Sequence, residues 1–279
     1  MENVQKKGSS FTKIFPLLVI PVIIATCYLV YYLVLGDISH FKDGAARHEP
    51  KVGDYYGIIY MGGAIVPILM SFGLMVITFS IERAIFLVVA SGRGSVTGFV
   101  RKVKGLLSQN DIEGALAACN AQKGAVGNVV FEVLKKYKEV WSVKGMTKEQ
   151  KQVTIQKELE EATSLEMPTL EKNLTIIATL ASVATLFGLL GTVIGMIKAF
   201  AALATSGTPD PGALATGISE ALINTALGIG TSALAIIMYN FFTSKIDELT
   251  YNIDEIGFSV NQSFSANYKD VDQNKGIYA

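Results

Sequence analysis

Four stretches of this chain, residues 14–35, 57–90, 174–203 and 213–242, are apolar over the roughly 20 residues that a helix needs to cross a bilayer core of about 30 Å. Half of the 279 residues are hydrophobic and only 17% are charged, a balance too apolar for an ordinary soluble domain. The fold class this implies is an all-α integral membrane protein with four transmembrane helices and a helical domain outside the bilayer. The first stretch follows Lys6, Lys7 and Lys13 as a signal peptide would. Its 22-residue length and lack of a small-x-small cleavage site argue instead for an uncleaved anchor, kinked near its start by Pro16 and Pro21.

Orientation is read from Lys and Arg, which accumulate in cytoplasmic segments. Residues 1–13 hold three, residues 36–56 hold three against four acids, residues 91–173 hold 13, residues 204–212 none and the tail three. Both termini and the long middle segment are therefore expected in the cytoplasm, with residues 36–56 and the tight turn at 206–212 on the outer side. The expected organisation is an anchor span and outer loop over 1–56, a first core span over 57–90, a cytoplasmic helical domain over 91–173, a pair of helices over 174–243, and a cytoplasmic helix and tail over 244–279.

Within the middle segment, Asp111 is placed to cap a helix beginning Ile112-Glu113-Gly114-Ala115, residues 126–140 carry apolar positions at helical spacing, and residues 147–172 run almost straight into the third span. The 34 residues of 57–90, as one helix, would extend about 50 Å, past the hydrocarbon core, and place Glu82-Arg83 at the interface as an ion pair with a snorkelling Arg83. Cys27 and Cys119 lie in different compartments, so both are expected as free thiols.

The last two stretches differ from the first two in being crowded with Ala, Gly, Ser and Thr. Gly188, Gly191 and Gly195, with Gly228 and Gly230, follow the small-residue spacing that lets helices approach closely. Thr179, Ser182, Thr185 and Thr192 share one face of the third span, and Thr216, Glu220, Asn224 and Thr231 share one face of the fourth, with Thr225 at its border. A membrane Ser or Thr usually bonds to the carbonyl four residues back, but two continuous stripes on neighbouring helices suggest a pore lining. Glu220 weighs most, because a carboxylate inside a span is expensive to insert and by default faces a functional interior. If Thr192 and Thr225 are level, Lys198 and Glu220 lie within about one residue rise in depth, so an ion pair between them is the structural alternative.

Other chemistry competes poorly. His40 and His48 have no partners at metal-ligand spacing and read as solvated loop residues. No phosphate-cradling or nucleophile motif is present, and the Lys-rich middle segment has interleaved acids, so neither cofactor, metal nor nucleic acid is expected.

The runs Phe187-Gly188-Leu189-Leu190-Gly191-Thr192-Val193-Ile194-Gly195-Met196, Ile218-Ser219-Glu220-Ala221-Leu222-Ile223-Asn224-Thr225-Ala226-Leu227-Gly228 and Tyr239-Asn240 resemble the ExbB/TolQ/MotA proton-channel family, most closely its ExbB branch, over roughly residues 57–260. The resemblance implies a bacterial inner-membrane homopentamer and no enzymatic activity. Its paired helices would surround the single spans of an ExbD-like partner carrying a membrane aspartate, and the proton motive force would be coupled to a TonB-like protein that opens outer-membrane transporters. It also implies that Thr192, Glu220 and Thr225 line the proton pathway, with Asn224, Thr185 and Ser182 on the same faces. Two departures stand out: Thr185 and Leu234 occupy positions where many relatives have proline, and the span at 14–35 is added to a three-span ExbB-like core. That extra span keeps a flagellar or gliding stator as an alternative, and a TolQ-like envelope subunit is a further rival within the family. Outside the family, the alternatives are a self-contained secondary transporter with its site at Glu220 and Lys198, and a passive scaffold whose polar stripes only hold helices together.

Overall fold

The computed structural model describes residues 2–42, 49–205 and 211–268. Apart from an isolated antiparallel bridge between Phe41 and Pro50, the described residues form no strand. The helices are α1 (Glu2–Val30), α2 (Tyr55–Tyr60), α3 (Val66–Ala90), α4 (Val96–Ser108), α5 (Ile112–Gln122), α6 (Gly124–Ser142), α7 (Lys148–Leu170), α8 (Leu174–Thr205) and α9 (Pro211–Asn267). Four helical stretches are long and apolar enough to cross a membrane: Phe15–Leu35, Gly63–Ala90, Leu174–Ala204 and one within Pro211–Asn267. The fold is therefore that of an all-α membrane protein. The turn expected at 206–212 falls largely outside the described residues, as does His48.

Two compact units divide the chain, one of Met1–Ile81 with Thr175–Tyr239, the other of Glu82–Leu174 with Asn240–Ala279. In the first unit, α1 closes with a π-helical turn, Tyr31–Leu35, sealed by the Gly36 N–H donating to the Tyr31 carbonyl at 3.0 Å. The expectation of one 34-residue helix over 57–90 is corrected. The chain breaks between α2 and α3, where Gly63 takes a φ of +74° that a helix cannot hold. The uninterrupted helix is α3, 25 residues and about 38 Å long.

Close packing of α8 on α9 follows from their small residues. A Cβ added at Gly188 would sit 3.1 Å from the Asn224 carbonyl oxygen, and one at Gly195 would sit 2.7 Å from the Ala221 nitrogen, so backbones meet where side chains are missing. The Ser232 hydroxyl donates to the Ala181 carbonyl across the same seam.

The second unit is a helical domain in which α4 packs on α5, α5 on α6, and α6 on α7. Asp111 caps α5, its side chain accepting from the Gly114 N–H at 2.8 Å, and Thr147 with Gln150 forms a capping box at the start of α7. Near the end of α9, Phe264 and Tyr268 pack with Tyr137 and Trp141 of α6. Lys151, buried from water, reaches the Tyr268 hydroxyl at 2.6 Å. Cys27 and Cys119 are free and buried, and burial pushes the Cys119 thiol up to about 12. The run from α7 into α8 is interrupted at Asn173, whose φ is +63°.

Arg83 does not snorkel. Its side chain is fully buried, bidentate on Glu82 at 2.6 and 2.7 Å, over the Phe86 ring at 4.5 Å, and within 3.4 Å of the Leu170 carbonyl. Asn173 donates to the same Glu82 carboxylate at 3.1 Å. The guanidinium therefore finds its partners inside the unit and has no need to reach for water. His40 is also no solvated loop residue, since its Nδ1 lies 2.7 Å from Asp54 Oδ2 and both side chains are about four-fifths covered.

Candidate functional site

α8 and α9 bring together Thr192 with Thr225 and Lys198 with Glu220. Thr192 and Thr225 are level, with their hydroxyls in hydrogen-bond contact. Each hydroxyl also reaches the carbonyl four residues back, Thr192 that of Gly188 at 3.2 Å and Thr225 that of Ala221 at 3.1 Å. Two hydroxyl protons cannot serve three bonds at once, so the pair can exchange donor and acceptor roles by rotation alone. That is the property a proton relay needs.

Six residues from Thr192 along α8, the Lys198 ammonium lies 2.6 Å from Glu220 Oε1. The two side chains are unequally covered by the chain itself: that of Lys198 is 55% exposed and that of Glu220 is 8% exposed. An ion pair in a span is stable only while its geometry and additional contacts offset the cost of removing both charges from water, so small displacements there carry large energetic consequences.

Behind Glu220 stands the break between α2 and α3. A Cβ at Gly63 would fall 2.5 Å from Glu220 Oε1, so the carboxylate sits directly on the bare glycine backbone. One turn along α9, Asn224 is fully buried and its Nδ2 donates to the Gly62 carbonyl at 2.8 Å, while its Oδ1 has no hydrogen-bond partner among the described residues. The amide orientation follows from the Gly62 oxygen, which can only accept. A Cβ at Gly191 of α8 would collide with this same Asn224 side chain.

The remaining stripe residues have other surroundings. Ser182 is exposed and Thr185 half-buried, further along α8 from the cluster. Thr179 and Thr216 are exposed and bond to carbonyls four residues back, those of Thr175 at 2.7 Å and Gly212 at 2.9 Å. Sequence reasoning missed Gly62 and Gly63 as parts of the site. Adjacent glycines inside an apolar run were the available signal.

Residues 124–255, which include Thr192, Lys198, Glu220, Asn224 and Thr225, match the MotA/TolQ/ExbB proton channel family. The matched stretch is just under half of the chain, and it supports a relationship to that family, near ExbB. The chain is 35% identical to an ExbB homologue of Methanothermobacter thermautotrophicus over 36% of each chain. It is 29% identical to an ExbB-like protein of Synechocystis over 66% of this chain and 83% of that one. To the Tol-Pal system protein TolQ of Pseudomonas aeruginosa it is 40% identical over 32% of this chain and 38% of that one. The chain thus spans little more than a third of two of these relatives and most of the other. The matched stretch and the four long apolar helices support a multi-pass inner-membrane protein.

Proposed function

We propose that this chain is the channel-forming subunit of a proton-driven motor that, with a single-span ExbD-like partner, converts the proton motive force into mechanical work energising TonB-dependent outer-membrane transport. The observation that carries this reading is the pairing of two polar contacts on facing membrane helices, Thr192 with Thr225 and Lys198 with Glu220. The hydroxyl pair offers a reversible step for a proton, and the ion pair supplies a charge whose balance a passing proton would change. Thr192, Glu220 and Thr225 are assigned to the pathway wall. Asn224 holds α9 on the helix break, and Ser182 and Thr185 extend the wall along α8.

Glu220 is the one acid within residues 174–205 and 211–239, Asp210 falling between these two stretches, so a full relay needs a second titratable group from outside the chain. A partner span bearing a membrane carboxylate supplies it. Copies of this chain, five by family resemblance, enclose that partner, and lipid covers the outer faces. Both termini and the 91–173 segment are assigned to the cytoplasm by their basic residues. The similarity to TolQ favours, as a second reading, an envelope subunit working through the Tol-Pal system.

Purification of the chain from its native membranes in mild detergent, with mass-spectrometric identification of what accompanies it, tests the assignment. A single-span protein with a membrane aspartate and a small outer domain is expected. A partner with a peptidoglycan-binding domain would move the assignment to a stator or Tol-type complex, and the absence of any single-span partner would remove the motor reading.

A further inference from the structure

The span at the chain's start is an addition to a three-span ExbB-like core, and its closing turn meets the segment that backs Glu220. The Tyr31 ring is almost wholly buried and lies on Tyr60, with centroids 4.7 Å apart and 19° between planes. Its hydroxyl donates to the Tyr60 carbonyl at 3.0 Å. That carbonyl belongs to the last residue of α2, three residues before Gly63. Tyr31 thus supplies a donor to a carbonyl beside the break.

The fit around this contact is tight. A Cβ at Gly36 would stand 2.7 Å from the Tyr60 ring, so only glycine lets the π-turn close against it. Phe41 packs edge-on to the same ring at 5.6 Å. Leu35, one turn after Tyr31, forms an apolar cluster with Tyr31 and Val66, on which Ile223 and Leu227 of α9 pack. Those two residues flank Asn224, whose amide holds Gly62.

We infer that Tyr31 is a positioning residue for the Glu220–Lys198 ion pair: by hydrogen-bonding and stacking on Tyr60 it fixes the Gly62–Gly63 break on which Glu220 and Asn224 rest. The connection is continuous in space. Tyr31 holds the Tyr60 carbonyl, the next three residues carry Gly62 to Asn224 and Gly63 to the Glu220 carboxylate, and Glu220 holds Lys198. The added span is then part of the machinery that sets the ion pair, and not only an anchor. A functional consequence rests on the proposed role of that pair, but the physical coupling does not.

The test is a double-mutant cycle on the full-length chain in detergent, using Tyr31→Phe, which keeps the stacked ring and removes the hydroxyl, and Glu220→Gln. The readout is the thermal unfolding midpoint, with membrane yield as the folding control. Coupling predicts that the double variant's midpoint falls short of the sum of the single shifts by about 2 °C or more, the scale expected for interacting sites in a chain of this size. Additive shifts, or a Tyr31→Phe midpoint equal to wild type, would overturn the inference. Should Tyr31→Phe fail to reach the membrane, Leu35→Ala takes its place in the cycle, with the same two readings. Proton-driven uptake in cells carrying Glu220→Gln reads the functional proposal separately: unchanged uptake beside a coupled cycle would sink that proposal and leave the role of Tyr31 intact.

Discussion

At the residue scale, three positions sit where one atom more or less changes the local balance. Glu220 is covered by protein and bonded to a Lys198 that its own chain leaves half open, so removing its charge leaves an ammonium without its partner while the packing survives. Glu220→Gln is expected to lower proton-driven nutrient uptake several-fold with normal membrane levels of the chain, and normal uptake would exclude Glu220 from the pathway. At Gly63, a positive φ and the nearby Glu220 oxygen both oppose a side chain. Gly63→Ala is expected to cost about 1–2 kcal/mol from the backbone conformation alone. A thermal midpoint unchanged from wild type would mean that the break is not held as described. Arg83 is a buried cation whose partners are Glu82, the Leu170 carbonyl and the Phe86 face. Arg83→Ala leaves Glu82 with only Asn173 as a donor, and roughly 3 kcal/mol of stability should go with it, read by chemical unfolding.

At the scale of elements, the segment between the first two spans depends on one clasp. Asp54 caps α2 through the Tyr56 and Gly57 N–H groups and pairs with His40, and the His40 hydrogen bond, followed by the backbone donors, holds its carboxyl below the ordinary aspartate range. A depressed carboxyl contributes stability that is fully present above its unfolded value of about 3.9 and is lost as pH falls through its lower folded value. Protease sensitivity of residues 36–56 in reconstituted vesicles should therefore rise below about pH 4 in wild type, and Asp54→Asn should be sensitive already at neutral pH. A wild-type profile flat into acid would contradict the clasp.

The same scale shows what the sequence could disclose. Hydropathy gave the four spans, and cap chemistry gave Asp111 at the start of α5, because both signals are local. The depth of Lys198 opposite Glu220 was also within reach, since helical rise is constant and the two threonines supplied a level mark. The break at Gly63 was hidden because an apolar run reads the same in one helix or two. Arg83 was misjudged because its burial depends on Leu170 and Asn173, some 90 residues further along the chain. His40 was misjudged for the same reason, its partner lying 14 residues away beyond a stretch with no periodic signal.

At the scale of the whole molecule, the spans are incompletely covered by their own chain. Only 28% of the most apolar window of α8 is buried, and large side chains such as Leu186, Leu190, Val193, Ile197 and Phe200 stand open on it. Lipid covers such faces in a membrane, and further copies would do so in the proposed assembly. On the proposed function, the Thr192–Thr225 contact lies on a proton path through that assembly. Proton-driven uptake in cells carrying Thr225→Leu tests it most directly, because leucine replaces the hydroxyl with an apolar group of greater bulk at the seam. Uptake is expected to fall to near background with normal membrane levels and normal co-purification of the partner, whereas wild-type uptake in such cells would remove the hydroxyl pair from the path and leave the polar stripes as helix packing alone.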